Sequence, residues 1–240
     1  CSFPFVPISF VNSFIMMDRP NFEYITCDNG PIDTLRNDLV SKALQIGCSK
    51  LIMLDVDQIY PTNTITKLLK HDLPVVGAKI HRRYPPFDPI LLRLGKDRYE
   101  PIEDYEPGSL VEVDATGGGC VMFDMKVFKE LPKPWFRFQK DEETGMTIGE
   151  DIGFFQDLKE AGYKIFVDTS VEIGHLTTMV VNQATHSLYK AMKTSKENRM
   201  DLDVKIVEKD TGNLSFGGGI SSADGPFVSG SVQERNLFGK

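Results

Sequence analysis

The sequence predicts an α/β fold with a mainly parallel central sheet. Leu51-Ile52-Met53-Leu54 and Pro74-Val75-Val76-Gly77-Ala78 are short, continuous apolar runs. That pattern belongs to strands covered on both faces. Residues 31–46 carry apolar side chains at helical spacing instead. Strands and helices thus alternate along the chain, which is the rhythm of crossover connections between parallel strands.

The elements follow in order. The chain opens at Cys1 and runs at once into Phe3-Pro4-Phe5-Val6-Pro7, which reads as a fragment whose first strand is missing. Residues 22–26 read as a strand ended by the turn residues Asp28-Asn29-Gly30. Pro31 opens a helix, where its missing N–H costs nothing. Leu35, Leu39, Val40, Ala43, Leu44 and Ile46 form its apolar face, and Gly47 stands where a capping glycine belongs. After the strand at residues 50–54, Thr62 or Asn63 caps a helix to about residue 69. A strand at residues 74–78 leads into His81-Arg82-Arg83-Tyr84-Pro85-Pro86, which paired prolines make a loop. Residues 92–113 read as irregular or hairpin structure. Gly117-Gly118-Gly119 precedes a strand at residues 120–123 and a helix at residues 125–131. Trp135 follows, then a helix at residues 150–161 ended by Gly162, then a strand at residues 164–167 with Gly174-His175 beyond it. Residues 190–200 are polar and charged and read as a linker or a fading helix. Leu202, Val204 and Ile206 have strand period, and the Gly/Ser-rich remainder predicts a poorly packed β-hairpin.

A chain of 240 residues with 41% apolar and 25% charged residues can build a true core. The net charge of -7 argues against a nucleic-acid partner, which selects a basic face. Cys1, Cys27, Cys48 and Cys120 are scattered without a CxxC pair, so they read as buried free thiols of a cytoplasmic protein rather than a zinc site or disulfide framework. No apolar stretch approaches the ~20 residues of a membrane span, and no signal peptide is evident.

Four constellations carry candidate chemistry. Asp55 and Asp57 follow an apolar strand at once; in a continuing strand their side chains share one face. Ligands of open α/β sheets bind at the carboxyl ends of strands, and hard ions such as Mg²⁺ or Mn²⁺ take oxygen ligands and bridge diphosphates. The alternative is a strand end and a turn. Glu150-Asp151 opens a helix, either as dipole-stabilised caps or as a general base acting on a hydroxyl. His175 beside a carboxylate is chemically suited to Mn²⁺. Gly117-Gly118-Gly119 admits close approach of backbone or ligand. Lys79, Arg82 and Arg83 could hold phosphate, and Trp135 could stack on a sugar or fill a core. No GxGxxG or P-loop lysine pattern occurs, so dinucleotide and NTPase sites are unsupported.

An ordered series runs through residues 1–190: Arg36-Asn37, Leu51-Ile52-Met53-Leu54-Asp55-Val56-Asp57, Val76-Gly77-Ala78, Ala115-Thr116-Gly117-Gly118-Gly119-Cys120, Gly149-Glu150-Asp151 and His175. The series resembles GT-A fold glycosyltransferases of the family 2-like group. That resemblance implies a Rossmann-like three-layer sandwich over residues 1–195. It implies a nucleotide-sugar donor, most commonly a uridine diphosphate sugar, and a carbohydrate or other hydroxyl acceptor. Asp57 would hold Mn²⁺ or Mg²⁺ directly, Asp55 would meet the ribose or the metal through water, and His175 would be a late metal ligand. Arg36, Lys79 and Arg82 complete the donor side; Gly118, Gly119 and Trp135 form the acceptor side. Asp151, with Glu150, would be the base of an inverting displacement. The family's first strand supplies nucleotide-base contacts, and this chain begins near its end. The tail over residues 196–240 instead resembles the entry to the barrel of outer-membrane assembly factors.

Three other readings compete. An Asp-x-Asp after a strand also occurs in haloacid-dehalogenase-type phosphatases, where the first Asp is the nucleophile; Gln58-Ile59 here stands where a Gly-Thr pair is usual. A non-catalytic nucleotide-sugar or carbohydrate-binding module and an envelope interaction protein are the others.

Overall fold

A computed structural model describes residues 6–28, 30–96, 98–141, 145–178, 182–183, 185–188 and 190–191, and the backbone of residues 212–221 and 225–234. The chain divides into two compact units, one of Cys1–Leu176 with Gly218–Phe227, the other of Thr177–Gly217 with Val228–Lys240.

Helices α1 (Ile8–Ile15) and α2 (Ile32–Ile46) come first. The helix expected after Pro31 forms, and it ends at Gly47 with φ 84°, a left-handed conformation that glycine adopts without penalty. Strands β1 (Lys50–Leu54) and β2 (Gln58–Ile59), helix α3 (Thr64–Lys70) and strand β3 (Val75–Ile80) follow. Next come β4 (Leu91–Leu94), β5 (Tyr99–Pro101), β6 (Leu110–Val113), β7 (Ala115–Thr116), β8 (Cys120–Asp124) and α4 (Met125–Glu130). Strands β9 (Gln139–Lys140) and β10 (Thr147–Ile148), helix α5 (Glu150–Glu160) and strand β11 (Ile165–His175) complete this part. In the tail, β12 (Gly212–Ser221) and β13 (Gly225–Glu234) pair with each other, as the hairpin expectation has it. Residues 192–209, where a linker and a strand are expected, lie outside the described residues, as does Cys1.

The main sheet has the order β1-β8-β3-β11-β2, with β6 also on β11. The expectation of a mainly parallel sheet is corrected here: the sheet is mixed. β3 and β11 run parallel, whereas β8 is antiparallel to both β1 and β3, and β6 and β2 are antiparallel to β11. The cause is connectivity. A small sheet of β5, β4 and β7 intervenes after β3, and the chain then enters β8 at the carboxyl end of β1, with Leu54 opposite Cys120. β1, β3 and β11 still share one direction, so their carboxyl ends form one rim.

Alternation along the strands divides the core. Leu51, Met53, Val75, Val121, Phe123, Ile165 and Val167 pack with α2, α4 and α5. Val76, Ala78, Ile80, Cys120, Met122, Val171 and Ile173 pack with Phe10 of α1 and with Ile65 and Leu68 of α3. The sheet is therefore covered on both faces. β11 is longer than the expected residues 164–167, because Val171 and Ile173 alternate inward with Ser170, Glu172 and Gly174 and carry it to His175. No strand forms at residues 22–26; Phe22 and Tyr24 are exposed there and do not alternate inward.

Cys27, Cys48 and Cys120 are free thiols, and of these Cys120 is fully buried. Among the described residues no helix is long and apolar enough to cross a membrane.

Candidate active site at the rim of β1, β3 and β11

β1 stops at Leu54, and the chain then turns across the rim to enter β2 beside the end of β11. The Asp55 N–H still donates to the Gly119 carbonyl at 2.9 Å, and the Leu176 N–H donates to the Asp57 carbonyl at 2.8 Å. Asp55 and Asp57 thus sit on a crossing turn rather than a continuing strand. They face different partners.

Asp55 faces Arg36 of α2, with Nη2 3.5 Å from Oδ2. Arg36 is 5% exposed. Its Nε donates to Glu150 Oε1 at 3.1 Å and its Nη1 donates to the Gly118 carbonyl at 2.8 Å. The guanidinium also lies over the Phe136 ring. A planar fork with five donors is suited to joining three acceptors from three segments. Burial raises the Asp55 carboxyl above the usual range, against the Arg36 charge and with the help of Asp57 and Asp151. Burial likewise raises Glu150, with Asp151 adding to the shift and Arg36 opposing it.

Asp57 faces Arg83 and His175. Arg83 Nη2 donates to Asp57 Oδ2, and His175 Nε2 lies 3.4 Å from that same oxygen. Burial works against ionisation of Asp57, but the hydrogen bond from His175 and the Arg83 charge outweigh it and hold the carboxyl low. His175 Nδ1 is 2.8 Å from the His81 carbonyl, which fixes the ring and directs Nε2 into the site. Burial lowers the His175 pKa, yet the bonds to Asp57 and His81 raise it overall.

Gly118 and Gly119 are filled from within the protein. A Cβ on Gly118 would lie 2.6 Å from Arg36 Nη1; one on Gly119 would lie 2.1 Å from Gln58 Nε2 and 3.0 Å from Asp55 Oδ2. The glycines let Arg36 and Gln58 close against the loop. The Gly118 N–H donates to Asp151 Oδ2 at 3.1 Å, and the Ile152 N–H donates to Asp151 Oδ1 at 2.8 Å. Asp151 is thereby tied to the glycine loop at the start of α5.

The structure brings together Asp55, Asp57, Arg36, Gly118, Gly119, Glu150, Asp151 and His175. It takes other candidates elsewhere. Lys79 pairs with Glu172 at 3.2 Å, and Arg82 contributes a backbone bond to the Asp88 carbonyl. Of the basic residues near the loop, Arg83 is the one that reaches Asp57. Trp135 is 2% exposed, and its indole N–H is shared by the Phe128 and Leu131 carbonyls at 3.0 and 3.1 Å. It packs edge-on to Phe128 in the core, which corrects its expected place beside an acceptor. Tyr60 and Gln58 join the site without having been singled out from sequence. Tyr60 Oη is 2.7 Å from the Asp55 carbonyl, 3.1 Å from the Gly119 carbonyl and 3.2 Å from Gln58 Oε1. Their signal is position alone: they follow the acidic pair directly.

Among the described residues no three His, Cys, Asp or Glu side chains form a ready metal cage. Asp57 and His175 do converge, offering one oxygen and one ring nitrogen, a mixed pair that suits Mn²⁺ better than the oxygen-preferring Mg²⁺. Such ions commonly take their remaining ligands from phosphates and water, so this pair fits the protein's share of a site.

No protein-family model matches the chain. Over 47 residues, 20% of its length, the chain is 51% identical to outer membrane protein assembly factor BamA of Nitratidesulfovibrio vulgaris, and it spans 6% of that protein. The expected resemblance to outer-membrane assembly factors is met over that short stretch. Among solved structures, one of A197 from STIV matches with a TM-score of 0.45 and 14% identity, covering 73% of this chain and 88% of that one. One of GalNAc-T7 with UDP, GalNAc and Mn²⁺ matches with a TM-score of 0.46 and 14% identity, covering 65% of this chain and 32% of that one.

Proposed function

We propose that this chain is a glycosyltransferase of GT-A type that moves a sugar from a nucleoside diphosphate donor, with uridine diphosphate the preferred carrier, to an acceptor hydroxyl with inversion. The observation that carries this reading is the meeting, at one rim, of acidic and basic groups from α2, the turn after β1, the glycine loop, the start of α5 and the end of β11. A rim at the carboxyl ends of strands is where α/β proteins bind ligands.

In this reading Asp57 and His175 hold Mn²⁺ or Mg²⁺. A bound divalent ion neutralises charge on the departing diphosphate. Asp55, kept in place by Arg36 and by Tyr60 through its backbone, meets the ribose. Arg83, on Asp57, takes the phosphate role expected of Lys79 and Arg82, since Lys79 is paired with Glu172 and Arg82 offers the site no side-chain contact. The acceptor oxygen attacks the anomeric carbon as the carbon–oxygen bond to the diphosphate breaks; the bonding pair leaves with the diphosphate, and the acceptor proton passes to Asp151. Glu150 acts through Arg36 by fixing the guanidinium that orients Asp55 and the Gly118 carbonyl. Gly118 and Gly119 border the acceptor side by holding Asp151 in place. The reading places the protein in the cytoplasm, with a transferase unit over residues 1–195 and an appended fragment after it.

A thermal-shift screen of nucleoside diphosphates and their sugars, with and without Mn²⁺, tests the reading. A ligand that binds the native state raises the melting temperature, by about 2.7 kcal/mol of stabilisation at a hundredfold excess over its dissociation constant. The expected result is a rise with a nucleoside diphosphate that depends on Mn²⁺. Phosphate-ester hydrolysis lost in Asp55→Asn, with no nucleotide-dependent shift, would favour the phosphatase reading instead.

A further inference from the structure

One guanidinium stands at the point where Asp57 Oδ2 and His175 Nε2 converge. Arg83 Nη2 contacts Asp57 Oδ2, and both Nε and Nη2 lie 3.4 Å from His175 Nε2. The three side chains are 18%, 13% and 16% exposed, so water screens this cluster poorly. A divalent ion would take the same two atoms as ligands, each about 2.0–2.6 Å from the ion. A guanidinium and a divalent ion cannot share that point, and adding two positive charges beside a retained Arg83 is unfavourable.

We propose that Arg83 is a built-in counter-cation that competes with a divalent ion for Asp57 and His175, so that metal arrival and the release of Arg83 toward a donor's phosphates are a single exchange. This rests on the glycosyltransferase reading above and extends it. When it is displaced, Arg83 carries a planar fork matched to phosphate oxygens. The loop that presents it is held by bonds that do not use its side chain. The Arg82 N–H donates to the Asp88 carbonyl at 2.9 Å, the Phe87 N–H donates to the Tyr84 carbonyl at 3.0 Å, and His81 Nδ1 is 2.7 Å from the Phe87 carbonyl. The side chain can leave Asp57 while this frame stays closed. The exchange keeps Asp57 and His175 paired in the absence of metal, which spares the protein an uncompensated buried carboxylate.

The test is Mn²⁺ titration of the full chain, followed by electron paramagnetic resonance of the unbound ion, for wild type, Arg83→Met, Arg83→Lys and Asp57→Ala. Arg83→Met is expected to bind Mn²⁺ about tenfold more tightly or better, on the scale of losing a partly buried ionic competitor. Arg83→Lys, which keeps the charge but loses the fork across both ligands, falls between that variant and wild type. Asp57→Ala binds no Mn²⁺ at the site. If Arg83→Met binds no more tightly than wild type while Asp57→Ala abolishes binding, the exchange is overturned and the metal reading stands. If neither wild type nor Arg83→Met binds Mn²⁺, both fall. Should Arg83→Met fail to melt cooperatively, Arg83→Lys decides, and affinity equal to wild type overturns the exchange.

Discussion

Arg36 Nε donates to Glu150 Oε1 at 3.1 Å across 114 positions of sequence, and the two side chains are 6% and 8% exposed. The same guanidinium reaches Asp55 and the Gly118 carbonyl. It joins the helix before β1 to the loop before β8 and to the start of α5. Removing it leaves acceptors buried without a donor. Arg36→Met is therefore expected to cost about 3–5 kcal/mol, the scale of breaking a buried ion pair from one side. Arg36→Lys should recover only part of this, since one ammonium cannot span three acceptors. Denaturant midpoints of the three proteins check the order.

The pH dependence follows from Glu150. Its folded carboxyl is raised, first by burial and then by Asp151. The folded state thus holds this proton more tightly than the unfolded chain does. Its stabilising contribution is complete below the ordinary glutamate value of about 4.3 and is lost as pH rises through the higher folded value. Glu150→Gln removes the titration and keeps an acceptor for Arg36. Melting temperatures of wild type and Glu150→Gln should converge toward low pH, with the variant gaining on wild type as pH rises. Parallel curves would contradict the assignment.

Gly119 offers a sharper steric test. A methyl group there meets Gln58 Nε2 at 2.1 Å, whereas one on Gly117 meets Ile90 Cδ1 at 3.2 Å. Gly119→Ala should lose about 1–3 kcal/mol, the usual penalty of overpacking, and disturb Asp55; Gly117→Ala should lose less. The pair of denaturation curves decides it.

Much of this frame was legible in sequence, and the reasons are local. The apolar run at Leu51–Leu54 and the helical spacing after Pro31 are written in neighbouring residues, and both elements form as expected. Strand direction is not local. Nothing in Cys120-Val121-Met122-Phe123 says that it runs opposite to β1 and lies between β1 and β3. The acidic pair was legible as a candidate, but its split between Arg36 and Arg83 depends on a turn that ends the strand at Leu54. Arg83 meets His175 across 92 positions, which no spacing rule connects. Trp135 carried two readings, and burial with both carbonyls on its indole N–H decides for the core.

Trp135 yields a separation of effects. Trp135→Phe gives up the hydrogen bonds to Phe128 and Leu131 and part of the packing on Phe128. It should cost about 1–3 kcal/mol of stability, as expected for a buried pair of acceptors left unpaired. Nucleotide affinity at a temperature where the variant is folded should match wild type. A loss of acceptor turnover without a loss of stability would return Trp135 to the site.

The most direct measurement compares Asp57→Ala with Asp151→Asn by calorimetric titration of a nucleoside diphosphate sugar with Mn²⁺, followed by a transfer assay on the same samples. Asparagine keeps an acceptor for the Gly118 N–H, so the start of α5 should survive the second substitution. The account predicts that Asp57→Ala loses Mn²⁺-dependent donor binding, and that Asp151→Asn binds donor as wild type does while transfer falls by about 10²–10⁴-fold, the usual weight of a general base. Normal transfer by Asp151→Asn, or unchanged Mn²⁺-dependent binding by Asp57→Ala, would contradict it.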